Sequence, residues 1–121
     1  MRNDERTYRQ SIILDGGEYD TKSFYVPNGY TVSGTYSVKT NNPVKITVFY
    51  GLSIFGYPEN VVASEQETSG DFSFKALGYA ENDKYYIKVE NPASAGFFGW
   101  GQGATITVTY YITVSGWTTW L

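Results

Sequence analysis

Ala104 to Val114 reads A-T-I-T-V-T-Y-Y-I-T-V. Ile106, Val108, Tyr110, Ile112 and Val114 share one face of an extended chain, and Thr107, Thr109, Tyr111 and Thr113 share the other. This is period-2 alternation built from β-branched and aromatic residues, with no Gly or Pro to interrupt it. A strand with one apolar face and one threonine-rich face belongs to an antiparallel sheet that covers a core on one side.

The same pattern recurs upstream. Glu18 to Val26 reads as a strand ended by the turn Pro27-Asn28-Gly29, and Tyr30 to Lys39 alternates Tyr30, Val32, Gly34, Tyr36 and Val38 against Thr and Ser. Val44 to Tyr50, Asn60 to Ser64, Asp71 to Ala76 and Lys84 to Glu90 follow, separated by Asn-, Gly- and Pro-bearing connections. Gly51 to Pro58 is a loop bearing Leu52, Ile54, Phe55 and Tyr57. With about seven or eight strands, roughly 8–14 residues apart, and no helical period, the chain is all-β. The expected architecture is a single antiparallel β-sandwich, jelly-roll-like, formed by residues 18–121, with residues 1–17 as a flexible N-terminal arm or connector.

Composition removes several function classes. The chain has 121 residues, enough for one domain with its own core, and a formal net charge of -3. That charge offers no basic patch to offset phosphates, so no nucleic-acid partner is expected. With no cysteine and no histidine, disulfides, thiolate metal sites, imidazole bases and Ser-His triads are not available. The carboxylates Asp15, Glu18, Asp20, Asp71, Glu81 and Asp83 are scattered, without the facing pair a glycosidase needs. Asp15, Glu18 and Asp20 lie close enough to hold Ca²⁺, but their spacing matches no EF-hand loop, and Asp is common in turns for its hydrogen bonding. The chain is therefore expected not to be an enzyme and to carry no catalytic residues, metal site or cofactor. No apolar run approaches a membrane span, so no membrane insertion is expected, and Met1 to Arg6 lead into no apolar segment of a signal peptide.

Two stretches stand out as interaction candidates. Ser11-Ile12-Ile13-Leu14 is a short apolar block behind the polar, charged Met1 to Gln10, and Gly16-Gly17 follows as a turn or hinge. It reads either as an ordinary first strand with a frayed end or as an arm whose apolar block pairs with another molecule. Gly96 to Gly103 is a glycine-rich loop holding Phe97, Phe98 and Trp100, which either dock onto a ligand or partner or fold back to plug the end of the sandwich. An isopeptide staple, a bond the sequence leaves open, would join Lys and Asn side chains such as Lys88 and Asn91.

Val32 to Gly51 (V-S-G-T-Y-S-V-K-T-N-N-P-V-K-I-T-V-F-Y-G) and Ile106 to Ile112 (I-T-V-T-Y-Y-I) resemble strands of the endospore-appendage (Ena) pilin-like subunits. The resemblance covers about two-thirds of the chain, from Tyr30 onward. It implies a jelly roll that polymerises by β-augmentation, with an N-terminal connector reaching neighbouring subunits. Residues 1–17 sit where that connector would be. The family's connector carries cross-linking cysteines and this chain has none, so the implied fibre would be held without them.

The sequence thus points to a structural subunit of an extracellular filament or appendage, a homopolymer whose partner is itself. It would lie outside the cell or on a cell or spore surface, with a surface anchor as a further partner. A free edge strand either is defended or recruits another strand, and a head-to-tail contact propagates into a fibre. The alternatives are a carbohydrate- or surface-binding β-sandwich that uses the aromatic loop, and a small viral jelly-roll structural protein.

Overall fold

The computed structural model describes residues 2–40, 42–93 and 104–118. These residues form eight strands: β1 (Arg2–Leu14), β2 (Tyr19–Tyr25), β3 (Thr31–Val38), β4 (Val44–Leu52), β5 (Pro58–Glu67), β6 (Ser69–Lys75), β7 (Lys84–Glu90) and β8 (Ile106–Thr118). Among the described residues a single 3₁₀ turn, at Glu81–Asp83, precedes β7. The strands form two four-stranded sheets ordered β1-β8-β3-β6 and β2-β7-β4-β5, with every pairing antiparallel. The nested pairs β1–β8, β2–β7, β3–β6 and β4–β5 are those of a long hairpin rolled upon itself. This is the expected jelly-roll sandwich.

The alternation read in the sequence becomes the core. Ile106, Val108, Tyr110, Ile112 and Val114 are all buried, facing Val44, Ile46, Val48, Tyr85, Ile87 and Val89 of the other sheet. Phe49, on the outward parity of β4, is buried as well, stacked on Tyr86 with ring centroids 5.3 Å apart. Three glycines of the first sheet lie under aromatic rings. A Cβ on Gly34 would clash with the Phe72 ring, one on Gly70 would stand 2.7 Å from the Tyr36 hydroxyl, and one on Gly116 would clash with the Tyr30 ring. The rings cover bare backbone that would otherwise leave the sheet thin.

One tyrosine hydroxyl ties the two sheets on their β5–β6 side, and another reaches across the first sheet to β1. Tyr30 donates to Asp4 on β1 at 3.1 Å, and Tyr36 donates to Glu65 on β5 at 2.8 Å. Burial first, and then those hydrogen-bonded carboxylates, push both phenols above the ordinary tyrosine value. Burial also raises Tyr110 and Tyr85, aided by Asp20 in the first case and by Tyr50 and Asp83 in the second.

The structure corrects the expected N-terminal arm. Arg2–Leu14 pairs with β8 of its own chain at every position, from Arg2 opposite Thr118 to Leu14 opposite Ile106. Hydroxyl and aromatic neighbours knit the outer face: Thr7 bonds Thr113 at 3.2 Å, Thr109 donates to Ser11 at 3.3 Å, and Arg9 donates to the Tyr111 hydroxyl at 3.2 Å. The physical reason is β8 itself. Thirteen residues of central strand need a partner on both edges, and β3 occupies only one of them. The domain therefore begins at β1. Other strands also outrun expectation: β4 continues to Leu52, β5 extends past Ser64 to Glu67, and β8 extends past Val114 to Thr118.

Candidate functional site

Ser11, Ile12, Ile13 and Leu14 form the C-terminal end of β1, whose outer edge pairs with no strand of the described residues. Leu14 is buried in the core, Ile12 is half-buried, Ser11 is exposed, and Ile13 projects outward with 71% of its surface exposed. Period 2 splits the apolar block between two faces, so only Ile13 is available to another molecule. Nearer the N-terminus the same edge is guarded. Asp4 and Arg6 stand on the core-facing side and pair at 3.5 Å, and Asp20 and Lys22 do likewise on neighbouring β2 at 3.2 Å. Inward-pointing charges of this kind discourage strand addition.

Gly16 and Gly17 form the β1–β2 turn, with Gly17 at φ 82°, and the turn is pinned rather than hinged. Gly17 N–H donates to the Asn91 carbonyl at 3.0 Å, Asn91 N–H donates to the Glu18 carbonyl at 2.9 Å, and Glu18 N–H donates to the Asp15 carbonyl at 3.0 Å. The buried Asn91 side chain completes the clamp. Its amide donates to the carbonyls of Leu14 (3.1 Å) and Ala104 (2.8 Å), and its oxygen accepts from Ala93 N–H at 3.1 Å. The Asn91 amide is thus committed to the clamp, and the other side chain weighed for a staple, Lys88, lies over the Tyr19 ring at 4.5 Å.

The three carboxylates weighed for Ca²⁺ are employed separately. Asp15 accepts from Thr105, Glu18 accepts from Asp15 N–H, and Asp20 pairs with Lys22. Among the described residues no group of three or more such side chains is placed to hold a metal ion. Phe97, Phe98 and Trp100 lie outside the described residues.

The surface that sequence reading passed over is the opposite end of the sandwich, where the β4–β5 and β6–β7 connections meet. Ser53 to Tyr57 is a tight turn. Gly56 N–H donates to the Ser53 carbonyl at 2.9 Å, Ser53 N–H to the Tyr57 carbonyl at 2.9 Å, and Tyr57 N–H to the Ser53 hydroxyl at 3.0 Å, with Gly56 at φ 81°. Its two tip residues, Ile54 and Phe55, are 94% and 79% exposed. The β6–β7 connection is fastened by buried Ala76 and Ala80, and Ala76 exchanges hydrogen bonds with the β2–β3 turn at Gly29 and Tyr30. That anchoring leaves Leu77 and Tyr79 pointing out. Together with Leu52 and Tyr57, they are between half and three-quarters exposed.

A cleft lined by Tyr50, Gly51, Leu52, Tyr86, Glu81, Asn82 and Lys84 joins the two connections, with a volume of about 350 Å³. Asn82 in its wall and Asp83 next to it in the chain adopt successive left-handed conformations, φ 55° and 59°, a strained pair of the kind often found beside functional surfaces. The signal was legible in part, since apolar residues at the central positions of a serine-to-glycine turn break the rule that turns are polar.

No protein-family model and no curated protein matches the sequence. Among solved structures the chain is similar to PliG of Aeromonas hydrophila, a periplasmic inhibitor of g-type lysozyme. The two share a TM-score of 0.63 and 14% sequence identity, over 89% of this chain and 85% of that one. At that identity the likeness is one of fold.

Proposed function

We propose that this chain is a structural subunit that associates with copies of itself outside the cytoplasm, in an extracellular filament or appendage. The observation that carries the reading is the outer edge of β1 at Ser11 to Leu14, which bears no charge and projects Ile13 into solvent. Unpaired N–H and C=O groups on such an edge accept a further strand. Because β1 already belongs to its own sheet, the mode of joining is edge-to-edge addition rather than donation of a loose arm. The opposite edge of the same sheet is β6. A contact from β1 of one copy to β6 of the next is head-to-tail and does not close on itself, so it grows a fibre. The extracytoplasmic placement draws support from the periplasmic location named for the protein of similar fold.

A second reading, a carbohydrate- or surface-binding module, is favoured by the cleft between the two connections. There Tyr50 and Tyr86 stand beside the hydrogen-bonding side chains of Glu81, Asn82 and Lys84. Negative-stain electron microscopy of the purified full chain separates the readings. Fibres of constant width, lost in Ile13→Lys while the circular dichroism spectrum stays the same, are the expected result. Uniform single particles at high protein concentration would overturn the filament reading and move attention to the cleft.

A further inference from the structure

The strand edges and the loop end are treated differently by this sequence. Asp4, Arg6, Asp20 and Lys22 guard the β1–β2 side, while β5 begins at Pro58 and carries a register break opposite Val48 and Phe49. The loop end carries no such device. Leu52, Ile54, Phe55, Tyr57, Leu77 and Tyr79 are exposed on two adjacent connections.

We infer that this end is a second contact between copies of the chain, a two-fold pairing. The Ile54–Phe55 tip of one copy packs on the Leu77–Tyr79 connection of the other, and reciprocally. The inference rests on the self-association reading above but uses a different surface.

Three arguments select a second copy. The first is area. At the exposures observed, three aromatic and three aliphatic side chains present roughly 900 Å² in all, about what one partner contributes to a standard-size stable interface. The second is anatomy. The apex is uncharged, and Glu59, Glu81, Asp83, Lys75 and Lys84 lie along the flanking segments, giving an apolar centre with a polar rim of both signs. A two-fold axis brings each patch against its own image, so a rim of mixed sign can pair reciprocally.

The third argument is preorganisation. Turn hydrogen bonds hold the Ile54–Phe55 tip, and buried Ala76 and Ala80 hold the other connection, so little loop entropy is lost on docking. A bilayer suits the surface less well. Helices and loops that lie on lipid surfaces draw on flanking Lys and Arg, whereas here acidic residues outnumber basic ones beside the loops and the chain carries a net charge of -3.

The test is light scattering coupled to size exclusion on the full chain across a dilution series, with Phe55→Ser and Tyr79→Ser in the two connections and Ile13→Lys on β1. All three side chains are exposed, so thermal melting is expected to match the parent. At dilutions where no fibres form, the parent should reach twice the monomer mass. Phe55→Ser and Tyr79→Ser should each weaken pairing by about a hundredfold or more, since a two-fold interface loses each side chain twice. Ile13→Lys should leave the pair intact. Failure of the filament reading alone would therefore show as absent fibres with the pair still present. A parent that stays monomeric throughout overturns the inference, as does a dimer that survives both loop substitutions. Flotation of the monomer with neutral phosphatidylcholine vesicles, abolished by Phe55→Ser, would assign the surface to lipid and also overturn it.

Discussion

Asn91→Ala removes the side chain that fastens β1, the β1–β2 turn and the approach to β8 together. Three hydrogen bonds disappear: those to the carbonyls of Leu14 and Ala104, and that from Ala93 N–H. Asn91 and Leu14 are both buried, so the Leu14 carbonyl in particular has little access to water unless the site opens. At about 1 kcal/mol net for each bond, the loss is about 3 kcal/mol. For a domain of this size that corresponds to a fall in Tm of roughly 10 °C. The assay is thermal and urea unfolding followed by circular dichroism, where a lower midpoint with an unchanged m-value marks a pure stability loss.

Asn91→Asp sharpens the test. Its carboxylate still accepts from Ala93 N–H but turns a negative oxygen toward the two carbonyls, so at neutral pH it should cost at least as much as alanine. The cost should shrink on acidification, because a protonated carboxyl regains one donor. Hydrogen exchange should quicken first at the Leu14 end of β1. An Asn91→Ala protein within 1 kcal/mol of the parent would refute the clamp.

Gly34→Ala places a methyl group against the Phe72 ring. The ring must move within a packed sandwich, and the expected loss is about 1–3 kcal/mol in urea unfolding. The loss should shrink when Phe72→Leu is combined with it, and additive effects would contradict the stacking account. Stability should also fall at alkaline pH. Tyr30, Tyr36, Tyr85 and Tyr110 have pKa values raised by folding above the ordinary 10.0, so above that pH the unfolded chain has released protons that the folded one retains. Stability is thus fully present below about pH 10 and declines as pH climbs past it. Absorbance titration of tyrosinate should show these four ionising only with unfolding. Smooth titration of all twelve tyrosines in a still-folded protein would count against their burial.

The all-β class, the jelly-roll sandwich and the inward set of β3, β4, β7 and β8 were legible in the sequence. In each of those strands alternation is a local property: a central strand has one buried face along its full length, and every second residue reports it. Val32, Gly34 and Tyr36, or Tyr85, Ile87 and Val89, declare their side of the sheet without knowledge of any neighbour. The place of β1 is not declared in this way. At an edge the inward positions approach the rim, where Asp4, Arg6 and Gln10 keep contact with water, and the apolar alternation fades into what reads as a polar arm.

Whether Gly16-Gly17 bends freely depends on Asn91, some seventy-five residues further along, a nonlocal partner that no pattern within the turn can report. The glycine–aromatic pairs across β3, β6 and β8 exist only once register is set. Exposure of the loop end is likewise a tertiary fact. Ile54, Phe55, Leu77 and Tyr79 are the kind of residues that cores bury, and it is the rolled topology that carries their connections beyond both sheets, where nothing else in the described chain covers them. Local chemistry therefore determined which residues form strands and which way they face. The closing of the two sheets decided which strand is an edge, which turn is clamped and which apolar side chains are left for another molecule.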